Sequence, residues 1–295
     1  MMKFRNIALT LLLLTGISTS CIKEDHSECN NVYCLALSYM GDEQIEIFSE
    51  KIDRVHMYVF DDLNQCVASS QLSDADVAAR LTTLPALEPG EYRIVCIGNA
   101  YQTEVENLSS KEMENVTFAD KDYIDGKNVN GNDPLYWSSV DYVIAPYSAY
   151  KKLETRTAFF KSSHYDVYVE VIGVPAATEF YPVIELSGVA PQTDFNNDVK
   201  SSSSDYILKT NHDGNTTLSA FTNIMRRADS GVNLNIKAAD GTIMASVNFA
   251  EYIAMNNIDI TRNECLIPFL VEFKSADINI SVPSWFVENI QPEFK

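Results

Sequence analysis

Apolar and polar residues alternate in short runs along most of the chain, and turn-forming residues close each run. The clearest run is Asp53 to Phe60, where Val55, Met57 and Val59 form one face and Arg54, His56, Tyr58 and Phe60 the other. A period of two is that of a β-strand, whose successive side chains point to opposite sides. Tyr165 to Ile172 follows the same rule, with Val167, Val169 and Val171 against Asp166, Tyr168 and Glu170, and Asp277 to Val282 places Ile278, Ile280 and Val282 on one face. Further strands are expected at Val32 to Tyr39, Gln44 to Phe48, Tyr92 to Ile97, Tyr142 to Ile144, Tyr181 to Leu186, Tyr206 to Thr210, Asn215 to Phe221, Val232 to Ala238, Thr242 to Asn248 and Leu266 to Phe273. Turns separate them at Asp61-Asp62-Leu63-Asn64, Leu87-Glu88-Pro89-Gly90-Glu91 and Asp240-Gly241, where Asp and Asn bond their own backbone, Pro presets φ and Gly accepts positive φ.

Little of the pattern is helical. Ser73 to Leu84 reads as one short helix capped by Ser73 or Asp74, and Phe249 to Met255 as one or two helical turns. Glu104 to Asn132 and Gln192 to Ser204, rich in Asn, Asp, Ser and Gly, read as long loops. Many short strands with acidic turns predict an all-β chain of two sandwiches, and no repeat of about 20 to 50 residues suggests a propeller or solenoid. The charged run Lys151 to Thr157 is the expected boundary, giving an N-terminal sandwich over 32–155 and a C-terminal one over 156–295.

The first twenty residues break the pattern. Lys3 and Arg5 precede an apolar stretch from Ile7 to Leu14, and small residues from Gly16 to Ser20 follow, the build of an export signal over 1–20. The stretch is shorter than the roughly 20 apolar residues of a spanning helix. Small residues directly before Cys21 resemble a bacterial lipobox, which would make Cys21 the lipidated first residue of the mature chain. Residues 21–31 then form a tether, in which Lys23, Glu24 and Asp25 resemble the signal that exports Bacteroidetes lipoproteins to the outside of the outer membrane.

The formal charge is -19, and loss of Lys3 and Arg5 with the signal leaves 20 basic residues against 41 acidic ones, a charge of -21. Nucleic acid is not expected as a partner, because phosphate binding runs on Lys and Arg. Attachment to a membrane would rest on acyl chains and not on a basic patch. Apolar residues make up 46% and aromatic residues 11% of the chain, enough for a substantial core. Five cysteines remain besides Cys21: Cys29, Cys34, Cys66, Cys96 and Cys265. An odd number leaves at least one unpaired if every bridge is internal, and small buried core residues are an equally good reading of them.

Recognisable chemistry is missing. The sequence has no G-x-S-x-G elbow, phosphate loop, G-x-G-x-x-G or H-E-x-x-H, and His26, His56, His164 and His212 have no ligand spacing. No metal, no cofactor and no catalytic residue is expected. Asp61 with Asp62, or Glu264 with Glu272, could in principle serve glycoside hydrolysis, but among 41 acids chance pairs are expected. Arg226-Arg227 reads as an exposed basic turn, and Trp137 and Trp285 as core or edge residues.

Several segments taken in order resemble the FimB/Mfa-type fimbrial subunit family of Bacteroidales. They are the lipobox Cys21, Cys29-Asn30-Asn31-Val32-Tyr33, Ile52 to Asp61, Leu87 to Tyr92, Gly98-Asn99, Asp133 to Trp137, Ile258 to Glu264, Asp277 to Ile280 and Trp285. The resemblance spans nearly the whole mature chain and departs most between about residues 175 and 230. It implies two tandem transthyretin-like β-sandwich domains with Greek-key strands and few short helices. It also implies a lipid-anchored accessory subunit of type V fimbriae at the cell outer membrane, partnered by other fimbrial subunits. Addition of a partner's strand to an open sheet edge is a compatible joint, and Ile278, Ile280 and Val282 are candidate members of such a segment, with an internal core strand as the plainer reading. A fimbrial tip adhesin with a host or bacterial surface ligand, and a surface glycan-binding lipoprotein of a polysaccharide uptake system, are the alternatives. An exposed row of aromatic residues on one sandwich face would favour the last.

Overall fold

The computed structural model describes residues 31–42, 44–146, 153–174, 181–213, 216–274 and 277–287, so the signal, Cys21, Lys23-Glu24-Asp25 and Cys29 lie outside the described residues. The first half contributes β1 (Val32–Ser38), β2 (Val55–Phe60), β3 (Cys66–Gln71), β4 (Leu81–Thr83), β5 (Gly90–Gly98), β6 (Thr103–Glu106), β7 (Thr117–Asp120), β8 (Tyr136–Ile144), β9 (Leu153–Phe159) and β10 (Lys161–Ser162). The second contributes β11 (His164–Ile172), β12 (Val183–Val189), β13 (Gln192–Asp194), β14 (Ser204–Ile207), β15 (Asn211–His212), β16 (Leu218–Met225), β17 (Asn233–Lys237), β18 (Ile243–Asn248), β19 (Leu266–Lys274) and β20 (Asp277–Ser281).

Each half is a two-sheet sandwich. In the first, one sheet has the order β4-β1-β9 and the other β10-β8-β5-β2-β3; in the second, the orders are β15-β16-β11-β19-β20 and β14-β12-β17-β18. The two follow one plan. The opening strand, β1 or β11, lies antiparallel to β4 or β16 on one side and parallel to β9 or β19 on the other. The facing sheet is antiparallel throughout, with β2 or β12 between β3 or β14 and β5 or β17, and β8 or β18 outside. This is the transthyretin-like arrangement, built twice.

Alternation explains the cores. Val55, Met57 and Val59 enter a core with Leu35, Leu37 and Phe48, and Val167, Val169 and Val171 enter a second with Ile184, Leu234 and Phe269. The other face of β2 is buried as well: Tyr58 and Phe60 join Val95, Ile97, Phe118 and Phe195 in a third core shared by both halves. A three-stranded sheet, β13-β7-β6, covers that core, its strand β13 coming from the second half and β6 and β7 from the first.

Six expectations are corrected here. The 104–132 stretch folds as β6, β7 and the helical turns Met113–Asn115 and Lys121–Ile124, and the 192–204 stretch supplies β13. Their polar composition hid them because each presents few apolar residues, of which Phe118 and Phe195 are fully buried. Gln44 to Phe48 is no strand: Glu46 accepts hydrogen bonds from the backbone of Tyr39 (3.1 Å) and Phe48 (2.9 Å), and a helical turn Phe48–Lys51 follows. The helix begun by Ser73, whose Oγ accepts from Asp76 N at 3.1 Å, covers only Asp74–Ala79; Arg80 then adopts φ 53°, and the chain turns into β4. Arg226 and Arg227 are half-buried ties, Arg226 lying 4.9 Å over the Tyr165 ring and donating to His164 O, and Arg227 donating to Ser202 O and Asp229. The division placed between residues 155 and 156 falls within β9, which pairs with β1 along its whole length.

Helix Phe249–Met255 forms as expected, with Asn248 Oδ1 accepting from Ala250 N and Glu251 N. Asp240-Gly241 closes the β17–β18 hairpin with Gly241 at φ 86°. Cys34, Cys96 and Cys265 are buried, Cys66 is half-buried, and none of these four is in a disulfide. Burial pushes the Cys96 thiol up to about 12 and the Cys265 thiol up to about 11, which disfavours the thiolate at both.

Candidate functional site

The candidate strand-exchange residues sit at a sheet margin. β20 pairs only with β19 among the described strands, with Ile278 opposite Phe273 and Ile280 opposite Val271. Ile278, Ile280 and Val282 are half-buried and pack on the second core. Helix Phe249–Met255 holds the strand's end, because the Tyr252 hydroxyl, within hydrogen-bond distance of Pro268 O (2.6 Å) and Ser281 O (3.0 Å), bridges β19 and the last residue of β20. The segment is therefore both an edge strand and a partial cover for the core.

A second cluster joins the halves. Glu264, just before β19, accepts hydrogen bonds from the Tyr39 hydroxyl and from Tyr136 Oη (3.3 Å), and pairs with Lys51 Nζ at 2.5 Å. Burial first, then Glu264 through its hydrogen bond and its charge, raises both tyrosines far above their ordinary value. Next to it, Asp42 takes Arg262 Nε (3.0 Å) and Asn263 N (2.7 Å). On the opposite side of the junction Trp137 Nε1 donates to Phe195 O (3.1 Å), and the Phe195 ring lies edge-on to Tyr58, Phe60 and Phe118. Glu264 and Glu272 thus serve separate contacts, the latter with Lys274 (3.3 Å) and Asn279 (3.0 Å). Phe195 carried one faint signal in the sequence, a lone aromatic within a polar stretch.

Trp285 differs from Trp137 in standing at the surface, against Tyr168 and Phe286. Among the described residues no group of three or more His, Cys, Asp or Glu could hold a metal ion, and no helix is long and apolar enough to cross a membrane.

Comparison with known proteins agrees with this architecture. No protein of curated function matches the chain in sequence. Among solved structures, the fimbrial anchor protein Mfa2 from Porphyromonas gingivalis superposes with a TM-score of 0.66 at 17% identity, over 86% of this chain and 98% of that one. A candidate polysaccharide-binding protein from Bacteroides thetaiotaomicron gives 0.67 at 11% identity over 85% and 96%. A candidate adhesin from Bacteroides ovatus gives 0.67 at 16% over 87% and 94%. Identities this low speak to fold alone. Family membership rests on the match of residues 26–291 to the family model for fimbrillin-A associated anchor proteins Mfa1 and Mfa2, and the chain belongs to that family.

Proposed function

We propose that the chain is an outer-membrane lipoprotein, acylated at Cys21, that serves as an anchor or minor structural subunit of type V fimbriae. The observation that carries this reading is the extent of the family match, which takes in the globular body from residue 26 to 291 and begins just behind Cys21. Residues before it then have one consistent use: a signal over 1–20, a lipidated Cys21, and Lys23-Glu24-Asp25 as the surface-export signal. Two acyl chains on Cys21 would anchor the protein stably, since a single chain gives only marginal membrane binding.

Neighbouring subunits join by strand addition, with β20 as the exchangeable segment. A partner's strand taking its place would make the same backbone ladder to β19 and seat alternate side chains where Ile278, Ile280 and Val282 now pack. The role is structural and uses no cofactor.

The test is to express Cys21→Ala and, separately, Ile280→Asp in the fimbriated host. Cys21→Ala should abolish labelling by a clickable palmitate analogue and release fibres into the medium or change their length, while Ile280→Asp should reduce co-purification with fibres at unchanged lipid labelling. Attached fibres of normal length in Cys21→Ala cells would sink the anchor role, and labelling of the protein at fibre ends away from the cell by immunogold would make it a tip subunit.

A further inference from the structure

We infer that the outer face of the second sandwich carries a binding groove for a neutral glycan, built on Phe221, Tyr168 and Trp285. Alternation along β11 sends Val167 and Val169 inward and leaves Tyr168 on the outer face, half-buried. The β11–β16 register sets Phe221 directly opposite Tyr168, and Phe221 is 58% exposed. From the other side Trp285, on the short helix Ser284–Val287, brings its ring to 6.0 Å from that of Tyr168 and remains 42% exposed. Three aromatic rings thus run in sequence from β16 across β11 to the closing helix.

Next to Trp285 lies a concavity of about 420 Å³ lined by Trp285 and Phe286 together with Asn257, Asp259, Arg262 and Glu264. That volume lies within the range of small-ligand sites, which combine apolar walls with a few placed polar groups. The combination selects a sugar. Pyranose rings offer flat C–H faces to aromatic rings, and their hydroxyls both donate and accept. Planar amide, carboxylate and guanidinium groups match them in one plane. Contiguous exposed rings are kept on a soluble surface where something docks.

Charge narrows the ligand. The chain is at -19, Asp259 and Glu264 line the concavity with Glu264 already paired to Lys51 (2.5 Å), and the Arg262 guanidinium is engaged by Asp42 at 3.0 Å. An acidic glycan would be repelled. A protein partner fits less well, because the row is one ring wide and is flanked on β11 by Asp166 and Glu170, whereas protein interfaces centre on patches depleted of charge. This inference goes beyond the anchor role and fails separately from it, since nothing in it depends on Cys21.

The test is native affinity electrophoresis of the full mature chain through gels containing amylopectin, yeast mannan or xylan, with polygalacturonate as the acidic control. Phe221→Ser and Trp285→Ala are run beside it, with melting temperatures measured to confirm folding. Retardation by at least one neutral polysaccharide, weakened about tenfold or more in both variants at unchanged melting temperature, is expected, with Trp285 fluorescence changing on binding in the Trp137→Phe background. No retardation by any neutral polysaccharide, equal retardation of the variants, or retardation by polygalacturonate alone would overturn it. Should Trp285→Ala unfold, the Phe221→Ser variant, altered only at an exposed side chain, decides the matter.

Discussion

The two halves share a strand plan and close it differently. In the second half the sheet continues past β19 to β20, whose Ile278 and Ile280 finish covering the core. In the first, β9 has no such strand beside it among the described residues. Its core-side positions, opposite Tyr33 and Leu35, are Glu154 and Arg156. Arg156 lies 5.3 Å over the Tyr142 ring, donates to Asp141 O (2.8 Å) and pairs with Glu154 at 3.7 Å. Inward charges are a known guard on an edge strand, because a pairing partner would have to bury them. Leu153 and Phe159, 68% and 62% exposed on the other face of β9, make the guard necessary. One plan therefore yields an apolar margin at β20 and a charged one at β9.

The facing sheets differ as well. The outer face of β12, β17 and β18 is a polar ladder in which Asn235 contacts Glu185 (3.1 Å), Ser187 (3.0 Å) and Ser246 (2.7 Å), and Lys237 pairs with Glu185 at 2.5 Å. The matching face of β2 and β5 is apolar and lies under the sheet shared by both halves. A sandwich with a satisfied polar face can stand alone, whereas one with Tyr58, Phe60, Val95 and Ile97 outside must be covered.

The largest expected effect comes from breaking that cover. Phe195→Ala removes a fully buried ring at the centre of the third core, and should cost about 3–5 kcal/mol. Calorimetry should then resolve two unfolding transitions in place of one, the first half melting earlier. A single transition with an unshifted midpoint would mean that the halves do not depend on each other through this core.

Next is the Glu264 node. Glu264→Gln removes the charge that Tyr39, Tyr136 and Lys51 share, and should cost about 1–3 kcal/mol at neutral pH, read from urea unfolding. The pH dependence has a definite sign. Both tyrosines have folded-state values raised above the unfolded value of about 10. Their stabilisation is therefore complete below about pH 10 and is lost as pH rises toward the folded values. Absorbance titration at 295 nm should show both remaining protonated until the alkaline unfolding transition. Ionisation of Tyr39 and Tyr136 at ordinary pH in the folded protein would remove the node from the account.

The smallest effect on stability, and the sharpest test of the edges, is the pair Glu154→Val with Arg156→Val. The monomer's melting temperature should change little, but light scattering should show concentration-dependent association through β9. A variant that stays monomeric at high concentration would mean that the charges do not guard this edge.

How much of this was legible in the chain depends on the residue. The 55/57/59 and 167/169/171 alternations, the Asp240-Gly241 hairpin and the helix at Phe249 were readable because each follows from local geometry, a period of two or a capped run of 3.6-residue turns. β6, β7 and β13 were not, since each is only three or four residues long. They become strands by pairing with one another across sequence separations of up to 77 residues, from Thr117 to Asp194, and no local preference encodes such a pairing. The repeat of the sandwich plan was invisible for a related reason: it lies in strand order, which different side chains can satisfy equally well.

The chain by itself determined the all-β class and the inward face of its long strands, both of which depend on local pattern. Only the tertiary structure decided that Glu264 is a junction and not a chance carboxylate, that Phe195 is a shared core residue, that β9 is guarded while β20 is a margin, and that Phe221, Tyr168 and Trp285 meet. Each of these is a relation between distant strands, and strands acquire neighbours only when the sheets close.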